Sequence, residues 1–156
     1  MLDLPLARAL HVLAVVLWIG GVAMVTTVLL PAVRREVEPA RRVEFFESIE
    51  SRFAWQSRVT TLLAGASGFY LVWRLDLWSR FHEVRFWWMH AMVALWLVFT
   101  LMLFVLEPLV LHRWFRERAA VAPESTFRLV LHLHRVLLVA SAFTVVGAVA
   151  GSHGLF

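Results

Sequence analysis

Cysteine is absent from this 156-residue chain. Disulfides, thiolate metal sites, iron–sulfur clusters and cysteine-linked c-type haem are thereby excluded. Lysine is absent too, since all 15 basic residues are arginine, and that removes Schiff-base and lysine-base chemistry. Charged residues make up only 17% of the chain, and tyrosine occurs once. The net charge of +4 forms no basic face, because the arginines sit between apolar runs. This distribution argues against nucleic acid as a partner and reads instead as a set of topology signals.

What remains is strongly apolar. Hydrophobic residues reach 61% and the mean hydropathy is +0.75, well above a soluble domain near half apolar. Eight tryptophans and twelve phenylalanines suit a protein with many helix ends at a membrane interface. The expected fold is all-α, a single-domain bundle of four transmembrane helices in contact with the lipid bilayer, at about 6–33, 59–77, 86–111 and 127–150. The first run is too long for a signal-peptide core and is stopped by Arg34 and Arg35, so it is retained as a span. Between the first two spans, Val43, Phe46, Ile49, Glu50 and Phe53 recur at three- or four-residue spacing. That pattern predicts an amphipathic helix lying on the cytoplasmic membrane surface. The second span is the shortest. Its Ala64/Gly68 pair permits close helix approach, and Arg58 and Arg74 are expected to snorkel outward from its ends.

Arginine counts set the orientation. The first connection holds Arg34, Arg35, Arg41, Arg42 and Arg52, and the third holds Arg113, Arg116 and Arg118. The other side has Arg8, Arg80 and Arg85 near its ends. Both long loops are therefore expected in the cytoplasm of a bacterial-type inner membrane, with both termini outside.

Ionisable residues inside spans are functional hypotheses, because burying them in hydrocarbon is costly. His11 and His90 lie roughly 7 and 6 Å into spans one and three, both from the outer face. Two imidazoles at matched height suit a six-coordinate b-type haem. Gly20, Gly21, Gly65 and Gly68 could leave flat space for the macrocycle, and Arg8, Arg74 and Arg85 could meet its propionates. Another metal or proton role, or simple hydrogen bonds to neighbouring helices, is compatible with the same positions. On the inner half, His112, His132, His134 and Arg135 form a looser set. His132 and His134 are roughly 200° apart on a helix and cannot chelate one iron together, although either could pair with His112 at a second haem. Headgroup contact is the simpler role for these inner histidines. Arg135 requires an anionic partner, expected to be Glu107, while His82 and His153 are expected to be solvated, with His153 a third ligand if the outer site holds copper.

Two stretches resemble a known family. Ala9-Leu10-His11-Val12-Leu13, followed by Leu17-Trp18-Ile19-Gly20-Gly21 and Pro31, looks like the first helix of the CopD/HemJ-like membrane proteins. Phe86-Trp87-Trp88-Met89-His90 with Ala91–Leu95 looks like their helix that opens on a Trp-x-His pattern. The resemblance implies haem b ligated by His11 and His90, or copper handling. HemJ-type porphyrinogen oxidases carry a lysine two residues after the second histidine, where this chain has Met92. The resulting expectation is a cytochrome-like protein exchanging electrons with a quinol, a small redox molecule or a partner subunit. Two alternatives stand beside it. A copper transporter would line its interior with Met24, Met89 and Met92, and a non-catalytic accessory subunit would pack against a larger complex or a second copy of the chain.

Overall fold

The computed structural model of the chain describes residues 2–155, apart from the side chains of Ser51 and His112. Its regular structure is entirely helical among the described residues. Helix α1 runs Asp3–Glu36, α2 Arg42–Arg74, α3 Val84–Leu111, α4 His112–Val121 and α5 Pro123–Ser152. Three of these, α1, α3 and α5, are long and apolar enough to cross a membrane. The four long helices pack in a ring in which α1 neighbours α2 and α5, and α3 neighbours the same two. Helices α1 and α3 therefore lie on the diagonal and meet where the Trp18 ring stands edge-on to Phe99, 4.9 Å away.

Glycine and aromatic residues set how closely these helices pack. Trp87 rests on Gly147 and Trp88 on Gly151 where α3 meets α5. Trp96 lies on Gly65, and its indole N–H donates to the Thr61 carbonyl at 2.9 Å. Phe53 lies on Gly21, and the His11 ring lies on Gly68. Without a hydrophobic force between helices in lipid, this fit of rings onto backbone is what holds a bundle together. The Ala64/Gly68 spacing accordingly marks a contact between α1 and α2, where His11 lies on Gly68 and meets the Ala64 carbonyl.

The segment 42–58 is not a separate surface helix. It is the first half of α2, a continuous 33-residue helix about 50 Å long. Between Arg42 and Ala64 the sequence has no glycine or proline to break it. Its apolar face is not spread on lipid either. Val43 and Phe46 are buried with Leu30, Val33, Phe127 and Val130 in a core at the end of the bundle that carries the two arginine-rich connections, the end expected to be the inner one. Arg42 fastens this end, donating to the Val37 carbonyl at 2.8 Å and pairing with Glu124 at 2.5 Å. At the outer end, α2 stops at Arg74, before the expected limit of 77, and the chain turns through Asp76 at φ 50°. Tyr70 and Arg74 both donate to the Asp3 carboxylate there.

Two π-helical stretches interrupt the long helices, Val25–Leu29 in α1 and Met102–Leu111 in α3. Pro31 follows the first and Pro108 lies within the second. A proline ring clashes with the carbonyl four residues earlier, and widening the helix by one residue per turn relieves that clash.

Candidate functional site

The two π stretches flank a cavity of about 120 Å³ in the inner half of the bundle. Val25 reaches it from α1, and Met102, Leu103, Glu107 and Leu111 reach it from α3. Helix α2 contributes Phe46, Glu47, Glu50, Phe53, Ala54 and Ser57, while α5 contributes Val130, Leu133, His134 and Leu137. The wall is largely apolar and carries a few convergent polar groups, the usual composition of a small-molecule site.

Arg58 holds the polar side together. Its Nη2 lies 3.1 Å from Glu107 Oε1, and its Nε donates to the Leu103 carbonyl at 3.0 Å. That carbonyl is the one that Pro108, lacking an N–H, cannot satisfy in the π-helical five-residue register. Proline, arginine and glutamate are thus one unit. Arg58 was expected to snorkel outward and instead turns inward, because a bare carbonyl and a carboxylate both face it. The expected Glu107–Arg135 pair does not form, since Glu107 engages Arg58 and Arg135 is exposed on α5.

Glu47 pairs with Arg116 of α4 at 2.8 Å. Glu50 has no ion pair or hydrogen bond among the described residues, and its electrostatic neighbours are Glu107, Glu47 and Arg58. Ser57 is 4% exposed, and its hydroxyl has no hydrogen-bond partner among the described residues. His134 places Nδ1 2.9 Å from the Val130 carbonyl, so that nitrogen carries the proton, and its ring stands edge-on to Phe46 at 5.6 Å. Of the three carboxylates on the cavity wall, Glu47 is thus engaged by Arg116 and Glu107 by Arg58, while Glu50 makes no ion pair or hydrogen bond among the described residues.

The outer residues assemble differently from the sequence expectation. His11 is half-buried between α1 and α2. Its Nδ1 lies 3.0 Å from the Ala64 carbonyl and 3.1 Å from Ser67 Oγ, which leaves Nε2 as the acceptor. His90 is exposed, with Phe81 edge-on at 5.3 Å. It sits nine residues before Phe99, roughly half a turn around α3 from the face that meets Trp18. The structure therefore does not bring His11 and His90 to face each other.

The glycines expected to leave room for a macrocycle are occupied, Gly21 by Phe53, Gly65 by Trp96 and Gly68 by His11, while Gly20 faces open space. Arg74 is engaged by Asp3 and Arg85 by Glu83, and Arg8 is exposed. This arrangement does not fit a haem held between the two histidines inside the bundle. The methionines do not converge either, since Met24 is 45% exposed and Met89 only 3%. No group of three His, Asp or Glu residues among the described residues is placed to hold a metal. His132 is exposed, as are His82 and His153, and the side chain of His112 lies outside the described residues.

No protein-family model, curated protein or solved structure matches this chain. The resemblance to CopD/HemJ-like proteins is one of sequence pattern and rests chiefly on the two helix motifs. Of the inner-half residues, Glu50, Ser57 and Pro108 carried no signal strong enough to mark them as a site. A proline five residues before the arginines that close the third apolar run, preceded directly by a glutamate, was the one local hint.

Proposed function

We propose that the chain crosses the membrane four times, with α2 as the fourth and least apolar crossing, and binds a small organic cation in its inner-half cavity. The arginine-rich connections favour an orientation with that half toward the cytoplasm and both termini outside. The observation that carries this reading is the Glu50 carboxylate on the cavity wall, with no ion pair or hydrogen bond among the described residues, beside the Ser57 hydroxyl that also has none. A carboxylate in such surroundings must be neutralised by a proton or by a cation that takes its place. Phe46, Phe53, Phe99 and Phe115 supply ring surface that favours a cation over an anion. The volume is near that of a cavity known to hold a single benzene, about 150 Å³, which limits the guest to one ring or a compact ammonium group.

Three isosteric probes test the assignment on the detergent-purified protein: benzylammonium, benzyl alcohol and benzoate. Benzylammonium should bind best by calorimetry and benzoate not at all. Glu50→Gln should weaken benzylammonium by about tenfold or more, equivalent to 1.4 kcal/mol, and Glu50→Asp should retain it. Equal binding of the alcohol and the ammonium would show a cavity with no charge preference and sink the cation reading.

A second reading, electron transfer through a b-type haem near the outer face, keeps one observation in its favour. A metal-ligating histidine normally donates its other ring N–H to a carbonyl or carboxylate, as His11 does to Ala64. When bound, such a group would supply one-electron chemistry. This chain's part would be to hold His11 in one tautomer against Gly68. An oxidised-minus-reduced optical spectrum that disappears in His11→Ala would support it, and a featureless spectrum with no bound iron would reject it.

A further inference from the structure

The first turns of α5 carry Arg128, His132 and Arg135, all exposed. Their spacing of four and three residues puts them within roughly 60° of one another, on one stripe of the helix. The stripe continues outward as Val139 and Val146, 69% and 67% exposed, with Phe143 beside it. One outer face of α5 is therefore cationic at its inner end and apolar beyond. None of the three cationic side chains has an ion pair, hydrogen bond or ring contact among the described residues.

Depth makes this unusual. Phe127 packs with Leu30 and Val33, so Arg128 lies level with the exposed Arg34 at the inner end of α1. The backbone carbonyl of His134 meets Thr26 Oγ1 at 3.5 Å, and Thr26 lies eight residues, about 12 Å, inward of Arg34. Arg135 thus stands well inside the hydrocarbon on the membrane-facing side, where an unpaired guanidinium is costly. Side chains on a helix tilt toward its N-terminus, which for α5 is the cytoplasmic end. Arg135 therefore reaches back toward Arg128 and His132, and the three heads converge near headgroup level.

We propose that this stripe is a binding site for one anionic phospholipid, with the phosphate between Arg128, His132 and Arg135 and an acyl chain along Val139, Phe143 and Val146. Arginine forks match phosphate oxygens, and the apolar continuation lies on the side where the chain would run. A free phosphate would use only the upper half.

The test is native mass spectrometry of the full chain with phosphatidylglycerol, phosphatidylcholine or inorganic phosphate added in turn. Phosphatidylglycerol should be retained preferentially. Arg128→Gln and Arg135→Gln should each weaken retention about fivefold, since each basic residue near the surface contributes about 1 kcal/mol. The double variant should lose the preference, and Arg135→Lys should keep most of it. Both substituted positions are exposed, so fold loss is not expected, and an unchanged thermal transition checks this. Equal retention of the two lipids, or an unchanged preference in the double variant, overturns the proposal. Retention of inorganic phosphate as firmly as the lipid overturns the lipid assignment.

Discussion

Arg58→Met is the most informative single perturbation of the inner half. It keeps the apolar stem and removes the guanidinium that serves both Glu107 at 3.1 Å and the Leu103 carbonyl at 3.0 Å. At an effective dielectric of about 20, two unit charges at that separation attract by roughly 5 kcal/mol. Removing one partner of a buried pair costs about 3–5 kcal/mol, because the other charge is stranded. The two side chains are 29% and 12% exposed, so the value is discounted to about 2–4 kcal/mol. For a chain of this length 1 kcal/mol shifts Tm by about 2–4 °C, which predicts a fall of roughly 4–16 °C. Adding Glu107→Gln to Arg58→Met removes the stranded charge and should recover at least half of that loss. The assay is the thermal transition of both single variants and the double variant, at one scan rate in one detergent. Losses that add within about 0.5 kcal/mol would mean that the two side chains do not act as a pair, and the account of this site would fail.

Gly20→Ala should be neutral or stabilising, by up to about 1 kcal/mol, because a Cβ there meets nothing within 4 Å. Gly65→Ala should lower Tm clearly, since its Cβ would come to 2.5 Å from the Trp96 ring and displace the Trp96–Thr61 bond; equal Tm values would refute the packing described. Pro108→Ala supplies the N–H missing from the π stretch, so hydrogen exchange over residues 102–111 should slow, and unchanged exchange would disconnect Pro108 from that geometry. With no native cysteine in the chain, single cysteines at Glu38, Ser79 and Ala120 report topology cleanly. An impermeant maleimide should label Ser79→Cys on intact cells, and the other two only after permeabilisation. Labelling of Glu38→Cys and Ser79→Cys from the same side would show that α2 does not cross.

By itself the sequence determined the helical membrane character and the approximate limits of three long apolar helices, because length and hydropathy are one-dimensional properties. It also marked the Ala64/Gly68 contact, since a four-residue spacing of small side chains is local. Only the tertiary structure decided which way each polar side chain faces. His90 looked equivalent to His11 by depth, yet its position half a turn from Phe99 sends it outward, and depth along a span carries no information about facing. The amphipathic period at 43–53 was legible, but whether its apolar face meets lipid or Phe127 and Val130 depends on what packs beside it. Arg135 was visible as a costly residue inside a span, with Glu107 as its expected partner, and Arg58 as a residue at a span's end. Their pairing was not, because the carbonyl that draws Arg58 inward is exposed by a π-helical register that arises only once Pro108 is folded into α3.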